Sequence, residues 1–334
     1  MHLQAAVSAY LAGIKSQGRE HQLQAKIILP RMAAWLVSQE AAEGEHSIWP
    51  ITSLDQLARH HLSAFLESRQ HSPGKRKGST LSNATINKEV RYIKLFLKYI
   101  SEEKILFGLP ERWEIPKLKK YRDPTRIPRW LNETELDMYF KSTRFARRTV
   151  VPGVPAPQSF QALLLLAFTT AMRRRALFGV PRPTVDQLRK RELRLPAELD
   201  KAGVERIFPL SDLTCEVISR LPGRPGEPIF YWSGNYRSLY HELESMQTKA
   251  GIPKEQQSRL HVLRSSGATH MIKEGAELST VQRHLGHSTP QITEKFYLGL
   301  LTDLQRQAVN SLYVPLSQIP RTLPDDYPTG AASD

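Results

Sequence analysis

Cysteine is nearly absent from this chain: Cys215 stands alone among 334 residues. A single thiol forms no intramolecular disulfide and builds no cysteine metal cluster. Its place in the apolar-patterned LTCEVISRL reads as a packed core thiol. Long apolar runs are missing as well. The longest, ALLLLAFTTAM at 162–172, falls well short of the roughly 20 residues a bilayer span requires. MHLQAAVSAY also lacks the basic-then-apolar order of a secretory signal. These absences point to a soluble protein of a reducing compartment, the cytoplasm, with no membrane partner. Acidic residues are in deficit, 33 against 47 Lys plus Arg, for a formal charge of +14. Such a balance suits a polyanionic partner, because each neutralised phosphate releases condensed counterions. The cations cluster in KRK at 75–77, KLKKYR at 117–122, RRR at 173–175 and RKR at 189–191, which favours that partner over a diffuse solubility charge.

The chain is long enough for two domains, each with its own core, and carries no internal repeat. Residues 3–16 and 22–43 read as helices, the second ending near Gly44. Pro50 starts a new unit, in which Leu54, Leu57, Leu62, Phe65 and Leu66 recur at helical spacing. HSPGKRKGS is a loop presenting Lys75, Arg76 and Lys77. The clearest helix is NATINKEVRYIKLFLKYISEEK. Its apolar stripe is Ile86, Val90, Ile93, Leu97 and Ile100, with Lys88, Arg91, Lys94 and Lys98 roughly opposite, a face either solvated or set against phosphates. Four prolines make 108–129 an extended, basic linker carrying Lys119 and Lys120. After it, Asn132 and Glu135 are spaced for a capping box. The segment 158–172 is apolar on nearly every side and is expected to be a buried helix. Alternation around a Gly203 turn makes 192–211 a β-hairpin. Helices follow near 212–221, 236–250 and 261–274, the last closed by Gly275. A short one ends at Gly286, and Thr289 with Pro290 starts another that carries Tyr297. The expected organisation is an N-terminal helical extension (1–48), a helical unit (49–107), the linker (108–129), a second domain (130–310) and a tail (311–334). The fold class is mainly α with one small β-hairpin.

Chemistry concentrates in HVLRSSGATHMIKEGAELSTVQRHLGHSTPQITEKFY. Breaking a phosphodiester requires a nucleophile, cations on the non-bridging oxygens and a proton donor for the leaving oxygen. Guanidinium forks meet the second need bidentately without a metal. His261 and Arg264 share one face at the start of a helix, near amides suited to an anion. His284 and His287 have no third ligand nearby, so no metal site is expected, and no cofactor motif is present. Taken singly, each of these residues also reads as an ordinary surface or core side chain, His270 and His284 most of all.

HVLR followed by LGH and TEKFY resembles the tyrosine recombinase (phage integrase) family, with its HxLR, its LGH and a tyrosine in a TExY-like segment. TTAMRRRALFGV is similar to the family's TGLRxxELLxL and places an arginine at Arg173. LRLPAELDKAGVERIFPLS is similar to LRIPxxxTKxGKxRxVPLS and places a lysine at Lys201. ATINKEVRYIKLFLKYI resembles the family's helical, SAM-like core-binding domain. RIPRWLNETEL resembles the entry to its mixed α/β catalytic domain, so the likeness spans roughly residues 50–305.

The resemblance implies a DNA recombinase in which Tyr297 attacks the scissile phosphate, forming a 3′-phosphotyrosyl link. Arg173 and Arg264 would neutralise the phosphate oxygens and Lys201 would protonate the leaving 5′-oxygen. His261 would assist proton transfer, and His287 would hydrogen-bond the phosphate. It further implies double-stranded DNA sites, a homotetramer, a Holliday junction, nucleoid association and accessory DNA-bending proteins. The basic residues Lys75, Arg76, Lys77, Lys88, Arg91, Lys119 and Lys120 would contact DNA. A non-cutting DNA-binding protein and a strand-swivelling topoisomerase are the alternatives. Two departures stand out: Ala176 replaces a usual glutamate, and Phe296 occupies the place after TEK where many relatives carry the nucleophile, with Tyr297 one residue later. One helical residue turns a side chain by about 100°. Within RRR, Arg174 or Arg175 remains open as the anion ligand if the helix phase differs.

Overall fold

The computed structural model describes residues 1–40, 49–74, 78–124 and 127–298, with side chains through Phe296. The chain divides into two compact units, residues 1–125 and 126–334.

The first unit is helical: α1 (Leu3–Gly13), α2 (Arg19–Ser38), α3 (Arg59–Gln70) and α4 (Asn83–Glu102). The apolar stripe of α4 is fully buried at Ile86, Val90, Ile93, Leu97 and Ile100, while Lys88, Arg91, Lys94 and Lys98 are exposed. Ser82 starts the helix by accepting from the Thr85 amide. Leu3, Leu29 and Leu36 share one apolar cluster with Phe65, Ile93 and Phe107, and Leu109 and Leu118 from the proline-rich segment join it. That segment is tied to α4 through main-chain atoms. Asn87 donates to the Tyr121 carbonyl and accepts from the Tyr121 amide, both at 2.8 Å, and Asn83 donates to the Arg122 carbonyl at 2.7 Å. Glu89, on the buried side of α4, is met by Arg69 at 3.0 Å and by Arg31 at 3.4 Å. A carboxylate there tolerates burial because both cations reach it.

The second unit contains α5 (Glu133–Ser142), α6 (Ala156–Thr170), α7 (Arg174–Leu177), α8 (Val185–Arg189) and the strands β1 (Glu192–Leu195) and β2 (Arg206–Pro209). After them come α9 (Asp212–Arg220), α10 (Tyr236–Lys249), α11 (His261–Lys273), α12 (Leu278–Leu285) and α13 (Pro290–Leu298). The mainly helical class with one antiparallel hairpin is therefore observed. In the hairpin, Leu193 pairs with Phe208 on the buried face and Arg194 with Ile207 on the exposed one, as strand alternation requires. Asn132 and Glu135 form the expected capping box on α5. Helix α6 buries Phe160, Leu163, Leu164, Leu166 and Ala167 on several sides, and α11 packs against it. The approach needs Gly267, where a β-carbon would run into the Phe168 carbonyl oxygen. Cys215 packs half-buried against this core, and burial pushes its thiol pKa up. No helix among the described residues is long and apolar enough to cross a membrane.

The Asn87 clasp carries two hydrogen bonds to the main chain of one residue, Tyr121, in a half-buried site. Asn87→Ala is expected to destabilise the first unit by about 1–3 kcal/mol, read as a lower urea midpoint with an unchanged denaturant slope.

Candidate active site

Arg264 lies one turn into α11 and is only 4% exposed. Its guanidinium donates to the carbonyl oxygen of Ala171, at the end of α6, and to that of Leu285, at the end of α12, the latter at 2.6 Å. Both helices stop through a left-handed residue at this point, Ala171 with φ 49° and Gly286 with φ 63°. Glycine adopts that conformation freely, whereas a β-carbon costs about 1–2 kcal/mol. Ala171, at the position matching the glycine of TGLR, nevertheless holds it. At Gly286 there is a second constraint, since any β-carbon would collide with the guanidinium of Arg206. The glycine of LGH is thus fixed by a close approach as well as by its backbone.

His287 follows directly. Its Nε2 lies 3.2 Å from Nη2 of Arg264 and its Nδ1 3.0 Å from the hydroxyl of Thr293, which is fully buried on α13. A guanidinium only donates, so Nε2 accepts from Arg264 and Nδ1 carries the proton toward Thr293. Burial, with the charges of Arg264, Arg173, Arg206 and His261 adding to it, pushes the His287 pKa down to about 4. The imidazole is therefore neutral at neutral pH, consistent with its accepting role. His261, the first residue of α11, is lowered in the same way by burial, then by Arg264 and Arg173.

Arg173 immediately precedes α7. Its Nη1 lies 3.9 Å from Oδ1 of Asp200, whose side chain is 5% exposed, while Arg206 reaches the other oxygen at 3.3 Å. Two guanidinium groups thus share one carboxylate, and Arg264 lies within its electrostatic reach. The Arg264 pKa is pushed down to about 9 by burial first, then by Arg173 and Arg206, with Asp200 opposing. At neutral pH it remains a cation, in a site short of negative charge. Lys201 is exposed on the hairpin turn beside Asp200, on the rim of a small recess that also involves Arg173, Arg206 and Arg264. A groove of about 430 Å3 opens alongside, lined by Met172, Arg173, Arg174, Arg175, Tyr240 and His261 among others.

The phase of the RRR run follows from these contacts. Arg174 donates to the Tyr240 hydroxyl at 2.6 Å and lies 3.7 Å over the Tyr236 ring, so it braces α7 against α10. Arg175 is exposed, and Arg173 is the one paired with Asp200. Ala176, where relatives usually carry glutamate, packs in the apolar core. His270 and His284 bond the Leu131 and Thr169 carbonyls at 3.0 and 3.1 Å, in structural roles.

Phe296 is 8% exposed, packs with Ala171, Ala268, Val281 and Leu285, and stacks on His287 at 6.0 Å. Tyr297 lies in α13, and its side chain is outside the described residues. Of the residues expected at DNA, Lys75, Arg76 and Lys77 also lie outside them, while Lys88, Arg91, Lys119 and Lys120 are exposed on the first unit. Among the described residues, no group of His, Cys, Asp or Glu is arranged to hold a metal ion. Sequence reasoning missed Asp200, Arg206 and Thr293. The first two left a readable trace, since both flank Lys201 within DKAGVER.

Residues 146–302 match the family model described as the phage integrase family. The chain is 28% identical to the tyrosine recombinase XerD of Vibrio cholerae over 232 residues, covering 65% of this chain and 71% of that protein. It is 25% identical to XerC of Bacillus subtilis over 251 residues, covering 70% and 75%. Among solved structures it resembles the XerH site-specific recombinase bound to palindromic difH substrate, with a TM-score of 0.64 at 15% identity, covering 90% of this chain and 83% of that one. The Tn1549 transposon integrase in complex with transposon right end DNA gives a TM-score of 0.61 at 14% identity, covering 92% of this chain and all of the other. At these identities the structural likenesses speak for the fold.

The depressed His287 pKa sets a pH dependence. Between the ordinary value of 6.5 and the folded value of about 4, the unfolded chain binds a proton that the folded one does not. The contribution of this group to stability is therefore present above pH 6.5 and is lost as pH falls toward 4. Thermal unfolding across that window is expected to show a falling midpoint, with a shallower slope in His287→Gln.

Proposed function

We propose that this chain, which belongs to the phage integrase family of tyrosine recombinases, is a site-specific recombinase that cuts and rejoins double-stranded DNA through a 3′-phosphotyrosyl intermediate. The observation that carries this reading is that Arg173, Arg206 and Arg264 come together with a single carboxylate, Asp200, which pairs with the first two, and with neutral His287 beside Arg264. Such a site is preorganised for an added anion. A scissile phosphate entering beside Arg173 and Arg264 would supply the negative charge the site lacks. As the pentacoordinate transition state gathers charge on its non-bridging oxygens, the two guanidinium groups would already face it. Preorganisation of this kind is commonly the largest catalytic term, and one lost donor costs about 10²–10³ in rate.

Tyr297 is the proposed nucleophile. Its attack forms the phosphotyrosyl bond and expels a 5′-hydroxyl, protonated by Lys201 from the hairpin turn. His261, at the groove, would take the tyrosine proton, and its lowered pKa favours the neutral form that a base requires. His287 would donate to the phosphate from Nε2, which requires its ring proton to pass from the Nδ1 side facing Thr293 to the Nε2 side facing Arg264. The covalent link conserves the energy of the phosphodiester, so joining to a second strand consumes no high-energy cofactor. Two DNA sites held by a homotetramer, resolution through a Holliday junction, and direction set by accessory DNA-bending proteins complete the proposal. The exposed cations Lys88, Arg91, Lys119 and Lys120 would neutralise backbone phosphates.

A nicked suicide substrate carrying a cognate site tests the chemistry. After denaturation, a covalent protein–DNA adduct is expected with the natural chain and with Phe296→Ala, and none with Tyr297→Phe. An adduct that survives Tyr297→Phe, or one that arises only in Phe296→Tyr, would overturn the assignment of the nucleophile. Binding is tested separately by salt. The slope of log K against log salt is expected to become shallower by about 1 in Lys88→Ala and again in Arg91→Ala, with no change in sequence preference.

A further inference from the structure

Asp200 links three parts of the site from one buried position, two directly and one through Arg206. Oδ1 faces Arg173 at 3.9 Å, while Oδ2 meets Arg206 at 3.3 Å and accepts the Ala202 amide at 3.1 Å. The amide bond holds the turn on which Lys201 sits, one residue away. Arg206 passes the connection on, donating to the Arg283 carbonyl at 3.3 Å and lying against Gly286, directly before His287. The arginine before α7 and the lysine turn therefore meet at one carboxylate, and Arg206 extends the connection to the end of α12.

No other carboxylate pairs with Arg173 or Arg206 among the described residues. The acid usually found three residues after the box-one arginine is here Ala176, buried in the apolar core with no polar atom to offer. The hairpin has brought a carboxylate to the same arginine from a different element.

We propose that Asp200 is a positioning residue of the active site, one that holds Arg173 and the Lys201 turn in register with the segment carrying His287. It touches no reacting atom and acts through its partners. The contact to Arg173 is longer than a hydrogen bond, and that arginine is about one-third exposed. Asp200 thus steers the guanidinium without consuming the donors that a phosphate needs. A full bidentate pair would compete with the substrate for the same N–H groups. Asp200 also partly offsets the mutual repulsion of the three guanidinium groups, and it is the group that supports the charged form of Arg264.

The inference rests on the recombinase reading, so its test has one arm that reads catalysis and one that does not. In the first, single-turnover adduct formation on the suicide substrate is measured at saturating DNA. Asp200→Asn is expected to slow it 10- to 100-fold, with DNA affinity unchanged or up to severalfold tighter. Asp200→Glu is expected to recover part of the rate, and adding Ala176→Glu to Asp200→Asn part of it by restoring an acid beside Arg173. A merely structural role would lower affinity and rate together and would not respond to the second-site acid. An unchanged rate in Asp200→Asn overturns the proposal.

The second arm is a thermal-unfolding cycle of Asp200→Asn, Arg173→Gln and the double variant. The loss in Tm for the double variant is expected to be smaller than the sum of the single losses, as residues in contact require. If the natural chain makes no adduct on a cognate site, the recombinase reading fails and this cycle alone decides. Coupling then sustains Asp200 as the residue that holds Arg173, and strict additivity removes it.

Discussion

Everything at the candidate site hangs on how a buried guanidinium is satisfied. Arg264 is almost fully enclosed, and an enclosed cation is costly unless its donors find partners. Those partners are main-chain carbonyls at the ends of two helices, α6 and α12, together with the imidazole of His287. The arginine therefore specifies where both helices stop. Their left-handed terminal residues, Ala171 and Gly286, are the backbone's answer to that demand. The arrangement also explains why α11 must come so close to α6, with Gly267 against the Phe168 carbonyl. Moving α11 outward by the width of a methyl group would draw Arg264 off its acceptors.

The electrostatics follow from the same enclosure. Burial lowers the Arg264 pKa first, with Arg173 and Arg206 adding to it, and burial together with the surrounding charges keeps His287 neutral. Neutrality then dictates the tautomer, because only an unprotonated Nε2 can accept from the guanidinium. Thr293 accepts the remaining N–H from the far side, which ties α13 to His287. Phe296 strengthens that tie by stacking on the same ring. A single buried cation thereby orders four helices and sets the protonation of its neighbours.

Much of this was legible before any coordinates. The stripe of α4, the Asn132 cap, the Gly203 hairpin and the proline start of α13 are local signals, each with a local physical cause, and each appears in the fold. The six residues expected for chemistry followed from spacing and resemblance, and the geometry brings Arg173, His261, Arg264 and His287 to one site. What stayed hidden depends on long-range placement. Asp200 reads as a solvated turn residue until the hairpin folds it under Arg173, and Glu89 reads as one charge in a basic helix until Arg31 and Arg69 close over it. The phase of the RRR run was undecidable from pattern alone, because the aromatic partners of Arg174 come from α10, over sixty residues downstream.

The unequal charge at this site also bears on the folded state as a whole. The second unit closes around three guanidinium groups with one carboxylate among them, so part of its folding free energy is spent on repulsion that an incoming anion relieves. By thermodynamic linkage, whatever occupies that position in the native chain and not in the unfolded one raises stability as its concentration exceeds its dissociation constant. The melting temperature of the protein is then a property of its buffer as well as of its sequence. A divalent oxyanion such as sulfate or phosphate that binds there would raise it in step with its affinity, which chloride would not match.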